Sequence, residues 1–362
     1  MRSIIQRIAT GPELSKDISR EEARFATSML LSGEADPIQG AVFLIALRMK
    51  RETDEENRGV LDAIRDATDR AVAEVDDLVD IADPYDGYNR TLPPSPFLPA
   101  VMAALDVPAV SHGMETVSPK YGATHRKILR AAGVPVTLSS AEAAERIADP
   151  TVGWAYVDQE QFCPQLNALI DFRTTLVKRP AITTVEVMGG PVVGRKRTHL
   201  VTGYVHKPYP RIYALLARHA GYDSALLVRG VEGGVVPSLR QAGKLFRYEN
   251  MGEEQGFDVD PADLGIEQDL RSVPFPDDLG EVPVADGCVV VKDMEAAAKA
   301  AAEAGLEALD GVPGGIRDGL VYAGASILWH RGLAADLRSA ADAVRGVLDD
   351  GTAKARFMAA RV

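Results

Sequence analysis

Leu78-Val79-Asp80-Ile81-Ala82 runs directly into Asp83-Pro84-Tyr85-Asp86-Gly87-Tyr88-Asn89-Arg90-Thr91. A short apolar, β-branched run that breaks into Pro, Gly, Asp and Asn reads as a strand ending in a loop. The character of the chain changes at this point. Before it the pattern is helical only. After it, β-branched runs alternate with helical stretches. The further strands expected are Val107 to Ser111, Val134 to Leu138, Ala155 to Val157, Thr183 to Met188, Leu200 to His206 and Ala225 to Arg229, with helices such as Phe97 to Leu105, Tyr121 to Ala132 and Arg211 to Ala220 between them. Such alternation argues for a mostly parallel sheet covered on both faces. The expected fold class is therefore α/β: a small N-terminal helical bundle domain, then a larger α/β domain with a mostly parallel central sheet flanked by helices.

Upstream, Ser19 with Glu22 three residues on, and Thr53 with Glu56, are helix-start signatures, and Asp36-Pro37 opens a further helix with Pro at its first position. The run Ala41-Val42-Phe43-Leu44-Ile45-Ala46-Leu47 is apolar nearly all round, which suits a helix buried in a bundle or in a subunit interface. Phe162 to Val177 has helical spacing although it lies between strands, so it is expected to return to the helical domain. The domain division is thus 1–75, joined by the helix near 162–178, against 76–161 with 179–362. Residues 250–287 are acidic and rich in Pro and Gly, and read as loop with an antiparallel excursion. Helices follow at Met294 to Ala304, Leu320 to Trp329 and Ala334 to Leu348.

The 362 residues are 46% hydrophobic and 25% charged, the balance of a globular protein. The two cysteines, Cys163 and Cys288, exclude a disulfide framework and suit a reducing compartment. There is no apolar run of the ~20 residues that a membrane span needs, and Met1 to Arg7 lacks the apolar core of a signal peptide, so a cytoplasmic location and no membrane partner are expected. A formal charge of −12 opposes general adhesion to nucleic acid.

In an open α/β sheet the chemistry sits in loops beyond the carboxyl ends of the strands. The Asp83 to Thr91 loop offers a carboxylate, an amide, a guanidinium and a hydroxyl. The next loop, Ser111-His112-Gly113-Met114-Glu115, supplies a histidine and a glycine. Ser118-Pro119-Lys120 reads as a capped helix start, where free amides can attract a phosphate. Gly194-Arg195-Lys196-Arg197 is the most basic run, and three adjacent cations in a Gly-flanked loop usually form a solvated turn. The chain has no dinucleotide-binding glycine fingerprint, Walker A lysine, zinc spacing or nucleophile elbow.

These residues, in this order, resemble the anthranilate phosphoribosyltransferase family, a group of glycosyltransferases that shares its fold with the pyrimidine nucleoside phosphorylases. The likeness runs over nearly the whole chain. Ser32-Gly33-Glu34-Ala35-Asp36-Pro37-Ile38-Gln39 is similar to its N-terminal helices. His112-Gly113 falls in its Lys-His-Gly-Asn-Arg motif, and Ser118 to Gly122 falls on its Ser-Ser-x-x-Gly stretch. Arg173, Arg179 to Thr183 and Val187 to Pro191 follow its later motifs, as do Asp318 to Ala325 and Asp350 to Ala353.

The resemblance implies a (phospho)pentosyl transfer to an aromatic or heterocyclic acceptor, a homodimer formed through the helical domain, and a place in tryptophan biosynthesis. It also implies an anion side made of Asp86, Gly87, Asn89, Arg90, Thr91, His112, Gly113, Ser118 and Lys120, with Arg173 steering the acceptor. The departures are specific. Asp83 to Gly87 stands where the family cradles the pyrophosphate of phosphoribosyl diphosphate on a glycine-rich loop, so close backbone approach is reduced and Pro84 removes an amide donor. Of the family's carboxylate pair for Mg2+ only Glu232 is present, a poor ligand set. The alternative reading is a non-catalytic protein on the same fold that binds a nucleotide or nucleic acid.

Overall fold

A computed structural model describes residues 1–11 and 13–361. Four helices open the chain: α1 (Arg2–Ile8), α2 (Arg20–Leu31), α3 (Pro37–Lys50) and α4 (Asp54–Asp66). Ser19 and Glu22 close a reciprocal capping box on α2, Thr53 and Glu56 do the same on α4, and Asp36 accepts from the Ile38 and Gln39 amides at the start of α3. Each cap satisfies backbone donors that the helix itself leaves unpaired. Helices α2 and α4 meet at Gly59, where a Cβ would lie 2.2 Å from the Arg20 carbonyl oxygen, so only glycine permits that approach.

The strands are β1 (Ala71–Ala73), β2 (Asp77–Ala82), β3 (Ala109–Gly113), β4 (Trp154–Asp158), β5 (Val192–Gly194), β6 (Arg197–Gly203), β7 (Ser224–Val228), β8 (Gly243–Tyr248), β9 (Gln255–Val259), β10 (Glu281–Val284) and β11 (Val289–Lys292). Seven of them form the central sheet in the order β4-β3-β2-β6-β7-β8-β9. It is parallel through β7 and antiparallel at the β8–β9 edge. β1 and β5 make a short parallel pair, and β10 with β11 a hairpin. The chain leaves β2 for β3 and β4 on one side, then returns to place β6 on the other. That reversal of strand order opens a crevice beyond the carboxyl ends of β2 and β6.

Alternation along the strands splits the core between two faces. Val79, Ile81, Val201 and Leu226 pack with Phe97, Met102, Leu320 and Phe357. Leu78, Ala82, Leu200 and Leu227 pack with Phe43, Leu61, Phe162 and Leu216. Phe172 reaches Gly40 of α3, at 3.6 Å from where a Cβ would stand, so the 170–176 helix lies on the N-terminal bundle.

Several expected elements differ. Thr183 to Met188 is not a strand but a short helix, Ala181–Val185, followed by a 3-10 turn, Glu186–Met188. Its β-branched residues imitate a strand, yet a short buried helix shows the same apolar run, and Ile182 and Val185 are buried in the face of the core shared with α3 and α4. Val134 to Leu138 is extended loop leading into the helix Ser140–Ala148. The helix after Ser118 begins only at His125, with Thr124 rather than Ser118 as its cap. The acidic segment contributes β9 and β10, the first strand of the β10–β11 hairpin. Among the described residues no helix is long and apolar enough to cross a membrane.

A candidate ligand cleft at the strand ends

A cleft of about 440 Å³ occupies the crevice. One wall comes from the loops after β2, β6 and β7, with Asp86, Asn89, Arg90, Tyr204, His206 and Glu232. The other comes from the helical side, with Arg48 of α3, Arg179, Thr183 and Glu186. Tyr85 forms part of the wall and is buried rather than projecting across the opening.

The loop after β2 is anchored from beneath. The buried Asp83 carboxylate accepts from the Tyr88 hydroxyl (2.7 Å), the Ser95 hydroxyl (2.5 Å) and the Val235 amide (2.9 Å), with His125 Nε2 at 2.8 Å. Burial pushes this carboxyl up, but His125 and the hydroxyl donors outweigh it and hold it below the ordinary carboxylate range. Gly87 sits at φ +72°, and a Cβ there would lie 2.8 Å from the Ala123 carbonyl oxygen. Lys120 Nζ donates to the Gly87 and Glu232 carbonyl oxygens at 2.9 Å each and lies 3.4 Å from Asp86, which also pairs with Arg179. The Asp86–Arg179 pair crosses the cleft from the sheet side to the helical side.

Glu232 is the centre of the next feature. Its carboxylate accepts from three successive backbone amides, Asn89 at 3.0 Å, Arg90 at 3.2 Å and Thr91 at 3.1 Å, and from the Thr91 hydroxyl at 2.9 Å. Three amides converging on one carboxylate make an anion site. Glu232 adopts φ +53° to reach it, a conformation that side chains other than glycine seldom take.

The structure brings Asp86, Asn89, Arg90 and Lys120 together in the lining of the cleft, with Gly87 and Thr91 behind it in the same loop, bonded to Lys120 and Glu232. It does not bring His112, Gly113 or Ser118 there. His112 and Gly113 are buried on β3. His112 Nε2 lies 2.8 Å from the Asp80 carboxylate and Nδ1 bonds to the Tyr85 hydroxyl. The Ser118 hydroxyl donates to the Arg173 carbonyl oxygen at 3.0 Å. The Arg173 guanidinium is 1% exposed and grips Glu186 with two bonds, 2.6 and 2.7 Å, with Thr183 Oγ1 at 3.4 Å. A free acceptor carboxylate therefore meets Arg173 already paired. The basic run is paired as well: Arg195 with Glu74 and Asp76, Lys196 with Asp76, and Arg197 with Asp77.

The carboxylates at the cleft do not fit a resident Mg2+. Glu232 spends its lone pairs on four donors, Asp86 is held by Arg179 and Lys120, and no group of three metal-ligating side chains occurs among the described residues.

Sequence reasoning missed Glu186, Arg48 and an aromatic wall in which Tyr209 and Tyr213 stand edge to face at 5.4 Å, with the His206 ring 6.2 Å from Tyr209. Glu186 lay inside the segment read as a strand. No local signal marks the tyrosines, since a helix beginning at Tyr209 reads as an ordinary amphipathic one.

Comparison with known proteins places this geometry. Residues 2–68 match the family model described as "Glycosyl transferase family, helical bundle domain". An uncharacterized protein of Aquifex aeolicus is 29% identical over 252 residues, 70% of this chain and 74% of its own length. The anthranilate phosphoribosyltransferase of Rhodopseudomonas palustris (strain BisB18) is 27% identical over 98% of this chain and 96% of its own. The structure of anthranilate phosphoribosyltransferase from Saccharomyces cerevisiae, in complex with PRPP and Mg, superposes with a TM-score of 0.75 at 15% identity, covering 99% of this chain and 95% of that one. The chain has the fold of these transferases and is similar to them along nearly its full length.

Proposed function

We propose that this anthranilate phosphoribosyltransferase-like chain is a pentosyltransferase, moving a pentosyl or phosphopentosyl group to an aromatic or heterocyclic acceptor in a cleft whose phosphoribosyl diphosphate site is altered. The observation that carries this reading is the position of the cleft. It lies at the reversal of strand order, between the helical bundle and the sheet, and is faced by the Asp83 to Thr91 loop, which the resemblance aligns with the family's donor loop.

Glycosyl transfer asks little covalent chemistry of a protein. It requires that donor and acceptor be held in line, that water be excluded, and that charge developing at the sugar and on the leaving group be met by fixed groups. Here Asp86 and the Glu232 loop would border the sugar. Tyr209 and Tyr213 would present a flat apolar face to the acceptor ring, and Arg48 and Arg90 would meet a departing anion at the mouth. Glu232 and Asp86 are engaged by protein donors and do not form a Mg2+ site, so the fixed groups of the cleft would meet this charge themselves. The reading includes a cytoplasmic homodimer formed through the helical bundle. A groove lined by Ile8, Ala41, Val42, Ile45 and Met49 between α1 and α3 supports the dimer, since it leaves apolar surface exposed.

The test is turnover. Purified protein is incubated with a phosphoribosyl or pentosyl donor and a panel of aromatic and heterocyclic acceptors, anthranilate included, and the N-glycoside is measured by mass. Failure of every donor to yield product or to shift the melting temperature overturns the reading.

A further inference from the structure

We infer that Glu186 and Glu232 act as the chain's own ligands at two anion-binding positions beside the cleft, and that they restrict it to substrates carrying neither a carboxylate at the Arg173 side nor a phosphate on the Asn89–Thr91 loop. The inference rests on the reading of the cleft as a transferase site and makes its substrate specific: a ligand uncharged at both positions, whose only anionic group, if it has one, meets Arg48 and Arg90 at the mouth.

Both sites have the chemistry of anion receptors. Arg173 presents two parallel N–H donors, the fork geometry that matches a carboxylate, and Glu186 accepts both at 2.6 and 2.7 Å while Gln159 Nε2 adds a third donor at 3.3 Å. The Asn89, Arg90 and Thr91 amides with the Thr91 hydroxyl present four convergent donors, the kind of cradle that suits a phosphate, and Glu232 takes all four. Neither carboxylate is incidental. Glu186 comes from the segment Ala181–Met188 that is packed on the bundle, and Glu232 from a turn that holds a left-handed residue in order to reach across.

Competition decides the outcome. A carboxylate held in place by its own backbone binds as an intramolecular partner, whose effective concentration is on the order of millimolar or far above when the link is rigid. A free carboxylate or phosphate at cellular concentration must displace it or sit beside it. Displacement of Glu186 would strand a carboxylate that is 1% exposed, and co-occupancy would set two anions side by side. Both routes disfavour an anionic ligand, whereas an uncharged ring against Tyr209 and Tyr213, or sugar hydroxyls against Asp86, meets no such obstacle.

The experiment uses benzoate and inorganic phosphate as probes, each against a chloride control of equal ionic strength, with thermal shift and calorimetric titration of the wild-type chain, Glu186→Ala and Glu232→Ala. The wild type is expected to bind both probes only weakly, phosphate no more tightly than Arg48 and Arg90 at the mouth allow. Glu186→Ala should gain affinity for benzoate but not phosphate, and Glu232→Ala for phosphate but not benzoate, each by roughly tenfold or more over the wild type. This crossed pattern separates a stand-in ligand from a merely structural carboxylate, whose loss would lower stability without creating a matched response. Should Glu186→Ala fail to fold, Glu186→Gln, which keeps size and drops charge, is titrated with benzoate instead, and the Glu232 arm decides independently. A wild type that binds either probe as tightly as the variants, or variants with no matched gain, overturns the inference. Turnover by the wild type of a carboxylate-bearing acceptor whose KM rises when its carboxylate is replaced by a carboxamide would also overturn it while sustaining the transferase reading. The crossed gain with no turnover from any donor would do the reverse.

Discussion

The Nε2 atom of His112 lies 2.8 Å from the carboxylate of Asp80, and both side chains are fully buried. On the other ring nitrogen the Tyr85 hydroxyl closes a hydrogen bond, and the Tyr222 hydroxyl donates to Asp80 at 2.6 Å. One buried polar chain therefore links β2, β3, the loop that walls the cleft and the turn before β7. Burial, together with Glu186 and Asp80, holds the Tyr85 hydroxyl in its protonated form.

His112→Ala leaves Tyr85 without its partner and a buried carboxylate short of one. It is expected to cost about 2–4 kcal/mol, measured by urea denaturation. Because the ring points into the core, ligand affinity in the cleft should fall only as far as the Tyr85 wall is disordered. A variant of unchanged stability that had lost ligand binding would place His112 in contact with the ligand and contradict this structure.

Gly87→Ala should damage the loop locally. The added methyl meets the Ala123 carbonyl oxygen at 2.8 Å, and the residue would have to remain at φ +72°. A loss of about 1–3 kcal/mol is expected, with displacement of the Gly87 carbonyl from Lys120. The measurement is melting temperature alongside hydrogen exchange of the Asn89 to Thr91 amides. Exchange at those amides should rise if their contact with Glu232 depends on the loop's register.

Local signals were legible in the sequence and long-range pairings were not. The Ser19–Glu22 and Thr53–Glu56 capping boxes are written within four residues, and β2 with its loop is announced by an apolar run that ends in turn formers. The resemblance likewise located the cleft loop. Yet Glu232 stands 143 residues from Asn89, and its engagement with that loop left only a single acidic residue in a glycine-rich turn to be read. His112 and Arg173 were singled out by residue type, but type does not reveal that Asp80 and Glu186 wait beside them. Thr183 to Met188 shows the converse failure: its β-branched composition argued for a strand, and packing against the bundle made it helical.

The basic run gives a prediction about nucleic acid. Arg195, Lys196 and Arg197 are already paired with Glu74, Asp76 and Asp77, so little counterion release is available there. Fluorescence anisotropy with single-stranded DNA should show weak binding at low salt, and replacing all three cations by alanine should leave it unchanged. A steep salt dependence that disappears in the triple variant would revive the nucleic-acid reading.

Acid should destabilise the fold through two histidines at the amino-terminal end of the sheet, away from the cleft. Burial holds His199 down to about 4, with Arg331 opposing and Asp77 favouring its charged form. Burial, then Arg247, His199 and Arg331, hold His330 down to about 3. Ser224 Oγ bridges the two rings at 2.8 and 3.0 Å. Both folded-state values lie below the ordinary histidine value, so the unfolded chain binds more protons between them. The stability these neutral rings contribute is therefore complete above about pH 6.5 and is lost as pH falls through about 4 for His199 and about 3 for His330. Asp158 works in the opposite sense, because burial raises its carboxyl to about 6, and its contribution is lost as pH rises through that value. Each histidine supplies a slope of at most about 1.4 kcal/mol per pH unit. In denaturant titrations at pH 7, 5.5 and 4.5, His330→Gln should therefore be less stable than the wild type at pH 7, because Ser224 is left with a poorer partner, but should lose stability more slowly on acidification, by about one proton per molecule. Parallel slopes for the two proteins would show that His330 is protonated in the folded state and overturn the assignment.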